Sequence, residues 1–138
     1  MAADLLLDTH AILWIAGGDE LSARSKRALA DAVNEGRLLF SAVSAWELGL
    51  LTTKLHLSAG RSAAQWIAEL FAAIPMLEPI PLDFSMAAAT ADLPKPFHKD
   101  PADRLLVATA RELDVPIVTR DRRILAYASA GHVKAIAC

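Results

Sequence analysis

The chain alternates short apolar runs with longer stretches in which apolar residues recur at helical spacing. The first run, Leu5-Leu6-Leu7, is typical of a short strand that is buried on both faces. Between residues 63 and 74 the apolar positions recur every three or four residues, which predicts an amphipathic helix. The predicted strands are 5–7, 38–40, 77–82, 116–118 and 133–136. The predicted helices are 9–16, 22–35, 44–51, 63–74, 85–91, 102–113 and 122–128.

This order of elements predicts the class of fold. Strands that alternate with helices favour right-handed crossovers and a parallel sheet covered by helices on both faces, an α/β fold. Pro79 and Pro81 place the third strand at an edge of the sheet, because proline cannot donate to a neighbouring strand. We find no internal repeat and no dividing linker, so we expect one domain, 1–138.

The composition restricts the possible surroundings and partners of the protein. Hydrophobic residues make up 54% of the chain and charged residues 22%, enough apolar side chain for a real core. The net charge of −2 and the pI of about 6.0 leave no broadly basic surface, so nucleic acid would need a local patch or bound cations. One cysteine and no apolar run of about 18 residues predict a soluble, cytoplasmic protein. A local patch could come from Arg104, Arg120, Arg122 and Arg123.

Acidic residues follow strands or begin helices at several points of the chain. Each one taken alone could be a helix cap, since aspartate and serine are favoured at helix N-termini. Ser44 and Glu47 have the spacing of a capping box, and Asp100 precedes a proline that suits the first position of a helix. The acids that recur in this setting are Asp8, Glu47, Asp100, Asp103 and Asp121.

Taken together, the same acids predict a site. The carboxyl ends of parallel strands meet at one edge of a sheet, so we expect four or more carboxylates to lie in one cleft. Such crowded charges repel unless a cation balances them, and oxygen ligands suit Mg²⁺ or Mn²⁺. A cation of this kind can activate a water and neutralise charge on a phosphate. Hydrolysis of a phosphoester is therefore the natural use of the cleft.

Four segments carry a resemblance to a known family: LLLDTHAILW, SAVSAWELGLL, HKDPADRLLVATA and PIVTRDRRI. Together they resemble the PIN domain and, more narrowly, the ribonuclease toxin of VapBC toxin–antitoxin pairs. The resemblance spans nearly the whole chain, and its most specific part is HKDPADRLLVATA. It implies a three-layer α/β/α sandwich around a parallel sheet and an endoribonuclease that uses Mg²⁺, or Mn²⁺, and a metal-activated water. It also implies a homodimer and an antitoxin whose C-terminal segment blocks the cleft.

The resemblance also assigns roles to individual residues. It implies that the catalytic acids are Asp8, Glu47, Asp103 and Asp121, with Asp8 and Asp103 as metal ligands. It places Thr9 and Thr119 where a hydroxyl often supports a metal or its water. His98 and Asp100 belong to the loop signature, and we assign neither as a ligand. For Trp46, apolar neighbours at helical spacing predict packing in the core or an interface rather than stacking on a base.

Other readings of the first aspartate remain open. A phosphatase of the haloacid dehalogenase type needs a second aspartate two residues later, where this chain has His10. A receiver domain needs an acid pair after the first strand, whereas Asp8 stands alone there. A PIN fold that serves only as a binding scaffold would be expected to lose one or more site acids. All four acids are present, which favours activity.

Overall fold

Five parallel strands form the centre of the protein. The structure is a computed structural model that describes residues 3–54 and 60–138. The strand order is β3-β2-β1-β4-β5, so the first strand lies in the middle and the third at an edge. Every pairing is parallel. The strands are β1 (Leu5–Leu7), β2 (Leu38–Ser41), β3 (Leu77–Ile80), β4 (Ile117–Thr119) and β5 (Ala135–Ala137).

Helices cover the sheet on both faces. A single 3₁₀ turn, Thr90–Asp92, follows the fifth helix and leads into the proline-rich loop. Among the helices of the described residues, none combines the length and apolar character that a bilayer crossing requires. The helices are α1 (Thr9–Gly17), α2 (Ala23–Glu35), α3 (Ala42–Lys54), α4 (Ala63–Ala73), α5 (Phe84–Ala89), α6 (Pro101–Leu113) and α7 (Arg122–Ser129).

The two faces of the sheet bury separate cores, which confirms the three-layer α/β/α fold. Leu6 of β1 packs with side chains of α6 and α7 on one face. Leu5 and Leu7, which point the opposite way, pack with side chains of α1, α2 and α4 on the other. All three leucines are buried, as expected for a central strand that is covered on both sides.

The predicted elements are all present, and the proline-containing third strand lies at the edge as expected. The predicted start of α3 at Ser44 is wrong, because the helix begins at Ala42. The side chain of Ser41, at the end of β2, accepts a hydrogen bond from the backbone N–H of Val43. Ser44 lies inside the helix, fully buried, and its hydroxyl faces α1 rather than capping a helix end.

Candidate active site

Asp8 follows β1 at the carboxyl edge of the sheet, and its side chain is buried. Its Oδ1 accepts a hydrogen bond from the backbone N–H of Thr9 at 2.7 Å. Its Oδ2 accepts one from the hydroxyl of Thr119, at the end of the neighbouring strand β4, also at 2.7 Å. The same hydroxyl oxygen accepts from the backbone N–H of Asp121 at 3.0 Å. One threonine therefore holds the acids of two adjacent strands together.

Glu47 reaches the same edge from within α3. The hydroxyl of Thr9 donates to Glu47 Oε1 at 2.6 Å and lies 2.9 Å from Ser44 Oγ. The capping box predicted for Ser44 and Glu47 is therefore wrong, because α3 begins two residues earlier and both side chains point toward α1. The hydroxyls of Thr9 and Thr119 hold carboxylates in place.

The remaining acids lie at the starts of α6 and α7. Asp100 caps α6, since its Oδ1 accepts from the backbone N–H of Asp103 at 3.0 Å. Asp121 caps α7, since its Oδ1 accepts from Arg123 and Ile124 at 2.8 and 3.0 Å. Capping is thus a real role of Asp100 and Asp121, as each single position predicted. Asp103, in the first turn of α6, points back toward the other acids.

A histidine that the sequence left without a role belongs to this cluster. His98 Nε2 lies 3.1 Å from Asp103 Oδ2, and its Nδ1 lies 3.2 Å from a guanidinium nitrogen of Arg123. Candidate ligand atoms of His98, Asp103 and Asp121 all lie within 4.8 Å of one another. The signature HKDPADR contains His98, but only the folded loop shows that its ring faces Asp103.

The electrostatics of the site follow from burial and from charges of like sign. Burial and, to a smaller extent, the charges of the neighbouring acids together raise the pKa of the Asp103 carboxyl from its ordinary 3.8 to about 7. Burial also raises the pKa of Asp8 and that of Glu47, while hydrogen bonds from threonine hydroxyls oppose the shift at both. The acids lie close enough for each to disfavour ionisation of the next.

These residues fit a divalent cation. Each of the charges that act most strongly on Asp103 is negative: Asp100, Asp121, Asp8 and Glu47. The hydrogen bonds to Asp8 leave free lone pairs on both carboxylate oxygens, since each oxygen can accept more than one bond. Hard carboxylate oxygens with a net negative charge are the ligands that Mg²⁺ and Mn²⁺ prefer. The carboxylate oxygens and the uncompensated negative charge thus both favour a hard divalent cation.

Two of the arginines near the site contact other parts of the protein. Arg104 turns inward and donates to the backbone carbonyls of Thr90 and His98, at 2.6 and 3.2 Å. Of the four arginines that could form a local basic patch, Arg104 is therefore used to hold the backbone of the preceding loop. Arg120 covers the ring of Trp14, 4.1 Å from its centroid. Trp46 is 57% exposed, so of the two predicted settings, the core or an interface, the core is wrong and the interface stays a prediction.

Trp46 and Leu50 lie exposed on α3, beside the acids. They line a shallow groove, here called the Trp46 groove, whose polar members are Glu47 and Asp100. Leu51, Pro101 and Ala102 complete its lining. An apolar groove that ends at a cluster of carboxylates has the chemistry of a docking surface for a segment with both apolar and basic side chains.

Comparisons with known proteins agree with this geometry. The family model of the PIN domain matches residues 5–130. Ribonuclease VapC22 of Mycobacterium tuberculosis is 33% identical over 124 residues, which cover 89% of this chain and 91% of that protein. The fold is also that of VapBC2 from Rickettsia felis bound to a DNA fragment from its promoter (TM-score 0.70, 14% identity, 97% and 98% of the two chains). DNA-bound VapBC from Salmonella typhimurium gives a TM-score of 0.66 at 18% identity, over 97% of each chain. The chain belongs to the PIN-domain family and, within it, to the VapC proteins.

Proposed function

We propose that this protein is the toxin of a toxin–antitoxin pair, an endoribonuclease that depends on Mg²⁺ or Mn²⁺. The observation that carries the proposal is the convergence of Asp8, Glu47, Asp103 and Asp121 at one edge of the sheet. The name of the relative from M. tuberculosis, a ribonuclease, supports RNA as the substrate. In this proposal all four acids are catalytic, and Asp8 and Asp103 hold the cation.

In this proposal the residues of the site have different roles. A bound Mg²⁺ supplies two things, a lowered pKa for a water and compensation of charge on a phosphate. Asp8 is held by two hydrogen bonds, so its carboxylate is fixed before any ligand arrives. Glu47 is oriented by Thr9 and Asp121 by the start of α7, which leaves their remaining oxygens free to accept from a water. We expect hydrolysis to leave a 5′-phosphate and a 3′-hydroxyl, with no attack by the ribose 2′-hydroxyl.

The proposed test uses the purified protein and a labelled single-stranded RNA. Cleavage should require Mg²⁺ or Mn²⁺, stop with EDTA, and fall by orders of magnitude in Asp103→Asn. Asp31→Asn is the matched control, since Asp31 lies on α2 near Ala3 and Pro116, at the amino ends of the strands. Products that end in a 2′,3′-cyclic phosphate, or cleavage that survives EDTA, would contradict the mechanism.

We also propose a partner, a VapB-type antitoxin that occupies the Trp46 groove and places a basic side chain among the acids. An arginine there would meet carboxylates in a two-pronged, charge-assisted contact and take over the cation's charge. A homodimer is part of the same proposal. Phe84, which is 95% exposed, is the kind of side chain that such a contact would cover.

A further inference from the structure

Side-chain contacts hold the loop between the 3₁₀ turn and α6 in place. The hydroxyl of Tyr127 donates to the carbonyl of Pro94 at 2.6 Å. The ring of Phe97 stacks on the same tyrosine, with 4.3 Å between ring centroids. Arg104 holds the carbonyl of His98. The loop therefore presents His98 to the site at a fixed position.

Both ring nitrogens of His98 have charged neighbours. Nε2 faces Asp103 Oδ2 at 3.1 Å, and Nδ1 faces Arg123 at 3.2 Å. The ring of Phe97 meets the imidazole edge-on at 4.6 Å, which limits its rotation. Nε2 is buried and forms no hydrogen bond of good geometry although Asp103 Oδ2 is 3.1 Å away, so hydrogen bonding within the pair requires a rotation of the Asp103 carboxylate.

The position of Arg123 favours one tautomer of His98. A guanidinium group can only donate, so Nδ1 must accept from it. A neutral imidazole that accepts at Nδ1 carries its hydrogen on Nε2, which is the nitrogen that faces Asp103. The opposite tautomer would place an N–H against the guanidinium and a lone pair against the carboxylate.

We propose that His98, held in one tautomer by Arg123, is a positioning residue that orients the Asp103 carboxylate for cation binding. The inference rests on the proposed function only in that Asp103 is taken as a cation ligand. Groups that hydrogen-bond to a metal ligand fix its orientation and strengthen the site without touching the metal. His98 acts in this way, through Asp103.

A different role for the same cluster is direct ligation by the imidazole. The spacing of His98, Asp103 and Asp121 allows it. Ligation through Nε2 needs a lone pair on that nitrogen and therefore a hydrogen on Nδ1. Because Arg123 faces Nδ1, the structure favours the positioning role over ligation.

The first test measures Mn²⁺ and Mg²⁺ affinity by calorimetry, without RNA. His98→Leu should weaken binding by about tenfold or more, the loss typical of partners that hold a metal ligand. His98→Gln, whose amide N–H can donate to the same oxygen, should recover most of the loss. Arg123→Met should also weaken binding. Arg122→Met is the matched control, since it removes the same charge from the same turn and should leave affinity equal or slightly higher.

Two spectroscopic measurements complete the test. Correlation spectra of the imidazole ¹⁵N nuclei, recorded at about pH 8, where an ordinary histidine is neutral, should show the hydrogen of His98 on Nε2. Arg123→Met should relax this preference, and Arg122→Met should not. Electron spin-echo spectra of the wild type with bound Mn²⁺ should show no signal from a His98 nitrogen coordinated to the metal. Such a signal would be recognised because it disappears in His98→Gln.

Three results would each overturn the inference: a coordinated His98 nitrogen, unchanged affinity in His98→Leu, or a hydrogen on Nδ1. If the wild type binds no cation, the proposed function fails, and the ¹⁵N spectra still decide the pairing of Arg123 with His98.

Discussion

At the scale of single residues, the most unusual group is the Asp103 carboxyl, whose pKa is raised to about 7. Folding takes this group from an ordinary value of 3.8 into a buried site among other acids. Between about pH 4 and pH 7 the folded protein therefore keeps a proton on Asp103 that the unfolded chain has already lost. The contribution of this carboxyl to the free energy of unfolding is complete below about pH 4 and is lost as the pH rises to about 7.

Asp103→Asn should remove this pH dependence. Asparagine stays neutral, so without metal the variant should match wild type near pH 4 and melt several degrees higher near pH 7.5, a gain of at least about 1 kcal/mol. Stabilisation by added Mg²⁺ should shrink, because it arises from binding to the native state alone. Thermal melts in EDTA and in saturating Mg²⁺, across this pH range, provide the measurement.

If Asp103 served only the helix dipole, the melts would change in the opposite direction. Loss of its charge would then destabilise the protein by about 0.3–1 kcal/mol. A variant that melts lower in EDTA and gains as much from Mg²⁺ as wild type would contradict the assignment of Asp103 to the cation site. Asp31→Asn should show neither change.

At the scale of elements, α6 and α7 begin with aspartates that cap a helix and also face the cleft. Asp121 uses Oδ1 for both of its bonds to the backbone of α7, which leaves Oδ2 available to the site. Capping and charge therefore belong to different atoms of one side chain. Asparagine caps as well as aspartate does, so the two roles can be separated by substitution.

Two variants of Asp121 should make the separation visible. Asp121→Ala should cost about 0.5–2 kcal/mol in the free energy of unfolding, because α7 loses its cap. Asp121→Asn keeps the cap and removes one of the crowded charges, so stability without metal should be equal or slightly higher. Both should bind Mg²⁺ more weakly than wild type. Denaturant unfolding and calorimetry measure the two effects, and unchanged cation binding in both variants would remove Asp121 from the site.

The local sequence pattern was sufficient to predict the helices and strands but not every contact in the site. The apolar runs predicted five strands, and parallel order predicted that the acids would meet. The start of α3 was missed because Ser41 and Ser44 are equivalent as sequence signals, and only the packing against Thr9 separates them. The contact of Arg123 with His98 links two segments 25 residues apart, and no spacing rule connects them.

At the scale of the molecule, the site lies at the point where the order of the strands reverses. From β1 the chain continues to β2 and β3 on one side of the sheet, and it then returns to form β4 and β5 on the other side of β1. Ligand sites of open α/β sheets form at such a switch point, between helices that leave in opposite directions. The Trp46 groove opens beside this point, so an occupant of the groove would cover the acids as well.

A complex with the antitoxin should therefore be inactive on RNA. Co-expression with a VapB-type partner should yield a complex that cleaves no RNA even with Mg²⁺ present. Trp46→Ser together with Leu50→Ser should weaken the complex and leave the cation affinity of the free protein unchanged, since both side chains are exposed. Pull-down and cleavage assays measure the two outcomes. Full activity of an intact complex would contradict inhibition at this groove.

The four acids come from four separated stretches of the chain, and this has a consequence for the protein's lifetime. A single cut in the connection between β3 and α5, at residues 81–83, leaves Asp8 and Glu47 on one fragment and Asp103 and Asp121 on the other. Neither fragment alone carries the full set of oxygens, so a cut there should end cation binding once the two fragments separate. Expressed as separate halves, the two pieces would make recovered cation binding a direct reporter of their reassembly.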